Sequence, residues 1–153
     1  MFPTTVNRVP DNTTDHVNAM IRERTRESVA IHATLGPRAT ELRLEELDRE
    51  WDIERLLEVN AAAIALIGLG LGALVDRRFL FLPVAVAGFL LQHAIQGWCP
   101  PVTLFRSLGV RTAGEIDEER YALKALRGDF QDVPTGRFRD PDPAEQELYD
   151  VHR

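Results

Sequence analysis

The sequence predicts an all-α membrane protein: a two-helix transmembrane hairpin with cytoplasmic amphipathic helices before and after it. Three observations carry this expectation. Apolar residues are concentrated in one stretch of the 153-residue chain, "VNAAAIALIGLGLGALVDRRFLFLPVAVAGFLLQHAI" over 59–95, whose only charges are Asp76, Arg77 and Arg78. Those charges divide it into two runs, Val59 to Val75 and Phe79 to Ile95, each near the lower limit for a helix that spans hydrocarbon. The flanking segments are polar and charged, with apolar residues near helical spacing between Gly and Pro breakers.

A buried hairpin in a globular core is the rival arrangement. A helix apolar on all sides needs a large protein or lipid around it, and this chain has too few other apolar residues to wrap two. The membrane is therefore the predicted partner.

Residues 1–38 form a polar segment with one amphipathic helix: Val17, Ile21, Ser28 or Val29, and Leu35 fall near helical spacing. Asp15 is its candidate N-cap and Gly36-Pro37 its stop. Residues 39–98 hold a long helix and the hairpin. Leu42, Leu47, Trp51, Leu56 and Leu57 lie among alternating charges, Thr40 can cap the start, and neither Gly nor Pro precedes the first run. One helix is thus expected from about 40 to 75, with Trp51 on its apolar face and spans at about 57–75 and 79–97. Pro83 sits one turn into the second span, where its missing N–H costs little.

Residues 99–128 read as short helices. Pro100 and Pro101 suit the first turn of a helix through "VTLFRSL" that Gly109 stops. The next helix opens with a capping box, Thr112 to Glu115, and ends at Gly128. Ile116, Arg120 or Tyr121, Leu123 and Leu126 would form its buried face, packed on the cytoplasmic end of the long first helix. Residues 129–153 are an acidic, Pro-rich tail expected to be largely disordered, with a short helix at "PAEQELYDV".

Inside the hairpin, Ala61, Ala65, Gly68 and Gly72 make one stripe of small residues, and Ala85 and Gly88 offer similar spacing on the second span. The stripe serves the internal pair or a partner subunit; the internal pair is the simpler use. Asn60, Gln92, His93 and Gln96 fall at one depth and are expected to hydrogen-bond to one another. An alternative makes His93 a haem or pigment ligand, or a proton relay. Arg43, Arg49, Arg55, Arg106 and Arg111 flank the spans against Arg77 and Arg78 in the turn, so both termini are expected in the cytoplasm.

The net charge of −6 and the lack of a basic stripe interleaved with aromatics exclude nucleic acid as the expected partner. A single cysteine rules out an internal disulfide and a zinc finger, so no metal is expected, and no cofactor apart from the speculative one at His93. The N-terminus lacks the pattern of a cleaved signal peptide. Cys99, the lone thiol, precedes Pro100 near a helix start, where free N–H groups favour a thiolate. It either handles sulfur there or simply ends the span.

The run "GWCPPVTLFRSLGVRT", after two apolar spans, resembles the signature of the YgaP-like transmembrane domain, in the residues Gly97, Trp98, Cys99, Pro100, Leu108, Gly109, Val110 and Thr112. The resemblance covers roughly 55–115. It implies a multi-pass hairpin of the bacterial inner membrane, and a sulfur-handling context, since some members carry a fused sulfurtransferase domain. This chain has no such domain, and Ala113 stands where many members place a second cysteine. The expected function is an accessory or scaffold subunit without catalysis of its own, docking to a larger membrane complex or forming a homo-oligomer. The alternative is a persulfide or mixed-disulfide carrier acting through Cys99.

Overall fold

The computed structural model describes residues 7–131, and every regular element among them is helical. Helix α1 spans Asp15–Leu35, α2 Pro37–Arg49, α3 Ile53–Leu74, α4 Phe81–Gln96, α5 Pro100–Ser107 and α6 Ala113–Arg127. Short 3-10 turns at Pro10–Asn12 and Arg77–Leu80 precede α1 and α4. The expected tail helix and most of the tail lie outside the described residues.

Local chemistry sets most boundaries. Gly36 takes φ +87° and Pro37 opens α2, so the chain reverses within two residues. Thr14, not Asp15, is the N-cap of α1; Asp15 lies in the first helical turn, where its charge suits the helix dipole. Thr40 likewise does not cap α2. It is buried one turn inside, its hydroxyl donating back to the carbonyls of His32 (3.4 Å) and Gly36 (3.3 Å).

The helix expected to run unbroken from 40 to 75 is two helices, α2 and α3. A local cap and tertiary partners, not a Gly or Pro, make the break. Asp52 caps α3 by accepting the Arg55 N–H at 2.7 Å. The Ile53 N–H, orphaned at the helix start, donates to the Arg111 carbonyl at 2.9 Å. Glu50 leaves the helix to accept two bonds from the Arg111 guanidinium, at 2.8 and 2.6 Å. Trp51 therefore stands at a corner, 42% exposed, with the Arg55 guanidinium over its ring at 4.4 Å.

Helices α1, α2 and α6 pack against one another. Leu44, Leu47, Ile116 and Leu123 form their common core, with Val29 against it. The capping box of Thr112 and Glu115 is formed, and Gly128 ends α6 in the left-handed conformation. Of the alternatives Arg120 and Tyr121 on the buried face of α6, Arg120 is half-buried and Tyr121 exposed; Leu126, also expected there, is exposed, and between Ile116 and Leu123 that face carries Glu119.

Helices α3 and α4 pack side by side and run antiparallel: Gly72 meets Leu80, Gly68 meets Pro83, and Glu54 meets His93. Asp76 caps the connecting turn by accepting the Arg78 N–H at 2.8 Å. At 22 residues, α3 is about 33 Å long, close to the thickness of a hydrocarbon core. Among the described residues two helical stretches, one ending in α3 and one formed by α4 with the 3-10 turn before it, are long and apolar enough to cross a membrane, and in their most apolar parts only 22% and 6% of the residues are buried. Leu66, Leu74, Phe81 and Val84 all point away from any protein partner. These are not core helices of a globular body.

Candidate functional site

The residues singled out in the sequence converge where the α3–α4 pair meets the polar helices. Gly97 ends α4 with φ +74°, and the N-terminal segment crosses directly above it: a Cβ built there would lie 2.5 Å from the Arg8 carbonyl oxygen. Beyond Gly97, Trp98 is 38% exposed and Cys99 only 2%. Cys99 sits among Val9, Ile53, Leu57 and Val102, with Phe105 and Val110 against them.

Of the two readings of Cys99, a thiolate that handles sulfur or a residue that simply ends the span, this burial goes against the thiolate. The residue does precede α5, whose first residues are Pro100 and Pro101. Burial pushes the thiol pKa up, the bond with the Val102 backbone works the other way, and the nearby Glu54 charge adds to the rise. The net effect keeps the sulfur protonated and shielded by apolar side chains.

The polar cluster expected around His93 also differs. Asn60, Gln92 and the Gln96 side chain do not bond to it. His93 is buried and its Nε2 lies 2.9 Å from Glu54 Oε2, while Arg8 donates to Glu54 Oε1 at 2.8 Å. The backbone of Gln96 is used instead, accepting from Asn12 Nδ2 at 3.0 Å. His93 Nε2 is thereby engaged by Glu54, and Nδ1 is buried without a partner among the described residues. Among the described residues no group of three or more His, Cys, Asp or Glu is arranged to hold a metal.

The small-residue stripe splits into two parts. Gly68 and Gly72 lie at the helix contact, where a Cβ would come within 2.7 Å of Pro83 and 2.6 Å of Leu80. Ala61 and Ala85 instead line a cavity of about 320 Å³ between α3, α4 and the start of α5. Gly88 is not a packing residue: a Cβ there meets nothing within 4 Å, because α4 turns that face outward.

Beneath this junction lies a network that sequence reasoning missed. Arg106 is 1% exposed; its guanidinium donates to Glu115 at 2.6 and 2.8 Å, to Asn18 at 2.8 Å, to the Val110 carbonyl at 3.0 Å and to Thr13 at 3.2 Å. Glu119, with no exposed surface, accepts from Ser28 at 2.5 Å, from Arg43 at 2.9 and 3.3 Å, and from Arg111. Burial works to raise the pKa values of Glu115 and Glu119, but the hydrogen bonds from their arginines outweigh it and hold both below the ordinary range. A signal was present: Arg106 follows Val102 by four residues, and Glu119 lies between Ile116 and Leu123, so each charge falls on a core face.

The remaining motif residues serve the same junction. Gly109 takes φ +87°, with the Arg24 guanidinium 2.5 Å from where its Cβ would stand, and Thr112 caps α6; Leu108 is exposed. Each glycine of the run marks a turn that brings another segment close. No family model matches the chain, and no curated protein or solved structure matches it either.

Proposed function

We propose that this is an integral membrane protein whose α3–α4 pair is a two-span hairpin of the bacterial inner membrane, with both termini cytoplasmic, and that it serves as a non-catalytic accessory subunit docking to a larger membrane assembly. The observation that carries the membrane reading is the apolar, outward-facing surface around both helices, which no other part of the described chain covers. Orientation rests on arginines. Arg43, Arg106 and Arg111 are ion-paired in the folded protein. Acidic residues contribute little to topology, so the five-to-two excess on the terminal side keeps its weight. The likeness of "GWCPPVTLFRSLGVRT" to the YgaP-like signature agrees with this placement.

Burial of Cys99 favours a docking role over sulfur transfer by that thiol, since a carrier needs an accessible thiolate. The docking role is supported by the direct links between the hairpin and the ion-paired helices, Arg8 to Glu54 and the Ile53 N–H to the Arg111 carbonyl, which would present a polar surface beside the bilayer.

The test uses single cysteines in a Cys99→Ala background. In intact cells, a membrane-impermeant maleimide should label Arg77→Cys in the turn and leave Glu45→Cys unlabelled; the opposite pattern inverts the orientation. Release of the chain by an alkaline wash of the membranes would defeat the membrane reading. Docking is tested separately: the full chain extracted in mild detergent should migrate with a partner, and migration as a monomer alone would remove the accessory role.

A further inference from the structure

The stripe of small residues opens where it should close. Near the turn, Gly68 and Gly72 bring α3 and α4 into contact, but toward the polar helices Ala61 and Ala85 leave the cavity of about 320 Å³ between them. That volume falls within the range of small-ligand sites, about 300–1,000 Å³. Cys99, Pro100 and Pro101 line it from the start of α5, and Ile64 and Phe89 line it from α3 and α4 while remaining 40% and 45% exposed, so the space is reached from the apolar side of the pair.

We infer that this cavity holds one acyl chain of a membrane phospholipid, with the chain's ester carbonyl at Asn60. The inference rests on the reading of α3 and α4 as spans. Three observations select this occupant. The wall is apolar apart from Asn60 and the buried thiol of Cys99, so it suits a hydrocarbon chain and repels water. Asn60 is half-buried in that wall, hydrogen-bonds to no other side chain among the described residues, and lies one turn above Leu57, where the span begins. This is the level of the boundary between hydrocarbon and headgroups, where ester carbonyls accept hydrogen bonds.

The third observation is length. Leu82 lines the cavity and also stands against Gly68, so the space ends where the helices close. From Asn60 to Gly68 the rise is about 12 Å, enough for the upper part of an acyl chain lying along the pair. A partner's helix, about 10 Å across with its side chains, is too wide to enter a space of about 320 Å³, whereas a chain of methylenes is narrow enough to enter the gap beside the two alanines.

The full chain is reconstituted in phosphatidylethanolamine–phosphatidylglycerol vesicles containing a phospholipid with a mid-chain diazirine, then photolysed and its adducts mapped. Adducts should fall on Ile64, Ala85 and Phe89 several-fold more often than on Leu66 and Leu74 of the outer face. Ala61→Phe, and independently Ala85→Phe, fill the space and should remove the adduct at Phe89 while leaving those at Leu66 and Leu74. Equal labelling inside and out, adducts confined to the outer face, or inner adducts unmoved by both filled variants would each overturn the inference and leave the hairpin standing. Absence of adducts on Leu66 and Leu74 as well would defeat the hairpin reading itself.

Discussion

Glu119 and Arg106 are charged side chains in the places where a small helical body would ordinarily keep leucines. Each is tolerable because its hydrogen-bonding capacity is nearly filled: Glu119 by Ser28, Arg43 and Arg111, Arg106 by Glu115, Asn18, Thr13 and a carbonyl. Removing one partner leaves the other charge buried. Glu119→Gln should therefore destabilise the protein by about 3–5 kcal/mol, read as a lowered melting temperature in detergent, whereas Glu41→Gln at an exposed pair should cost at most about 0.5 kcal/mol. The same carboxylates set a pH dependence. Their folded pKa values lie below the unfolded value of about 4.3, so their stabilisation is complete above that pH and is lost as pH falls through the folded values. Melting temperature measured across the acid range should be level from neutrality to about pH 5 and fall below about pH 4, and Glu119→Gln should flatten the fall. These residues were legible only in part: the sequence put a charge at a core spacing, but which distant arginines would answer it depends on the packing of α1, α2 and α6.

At the scale of elements, what could be read from the sequence were features governed by neighbours along the chain. The two apolar runs, the charged turn, the Gly36-Pro37 reversal, the α5 start at Pro100 and the Thr112–Glu115 box all depend on residues within a turn or so of one another. Of the α2–α3 break only the Asp52 cap is local; the contact that draws Glu50 out of the helix is 61 residues away, in Arg111. The small-residue stripe was legible as a stripe, but not which of its members touch the other helix. That difference gives a test. Gly68→Leu must displace the Pro83 ring and the Leu82 Cβ, atoms fixed by backbone, and should cost about 1–3 kcal/mol. Gly72→Leu meets mainly the Leu80 side chain, which can rotate, and should cost less; Gly88→Leu meets nothing and should be neutral or stabilising. Thermal unfolding in one detergent ranks the three, and equal losses for Gly68→Leu and Gly88→Leu would show that the α3–α4 contact is not where the structure has it.

Among the described residues the molecule has two small apolar cores, one inside α1, α2 and α6 and one around Cys99, and polar links join them. The N-terminal segment is one of these links, beside the stretch from Val110 to Ile116. Val9 is buried beside Cys99, Arg8 reaches Glu54 at 2.8 Å, and Asn12 bonds to the end of α4, while Thr13 and Asn18 hold Arg106. Neither core is large enough to make the other indifferent to its loss, so the strap should contribute to the coupling between the hairpin and the polar helices. Gly97 is where this can be tested with one methyl group. An alanine there is strained by φ +74°, at about 1–2 kcal/mol, and its Cβ would also collide with the Arg8 carbonyl, a backbone atom that can yield only if the strap lifts. Lifting would withdraw Val9 from the Cys99 cluster and Arg8 from Glu54 together. Gly97→Ala should thus speed tryptic cleavage after Arg8, expose Cys99 to maleimide in the folded protein, and leave the α3–α4 contact intact. Arg8→Ala removes the ion pair without the collision and should speed thiol labelling less. If Gly97→Ala lowers stability but leaves both the cleavage rate and the thiol protected, the strap is not one of the links that join the two cores.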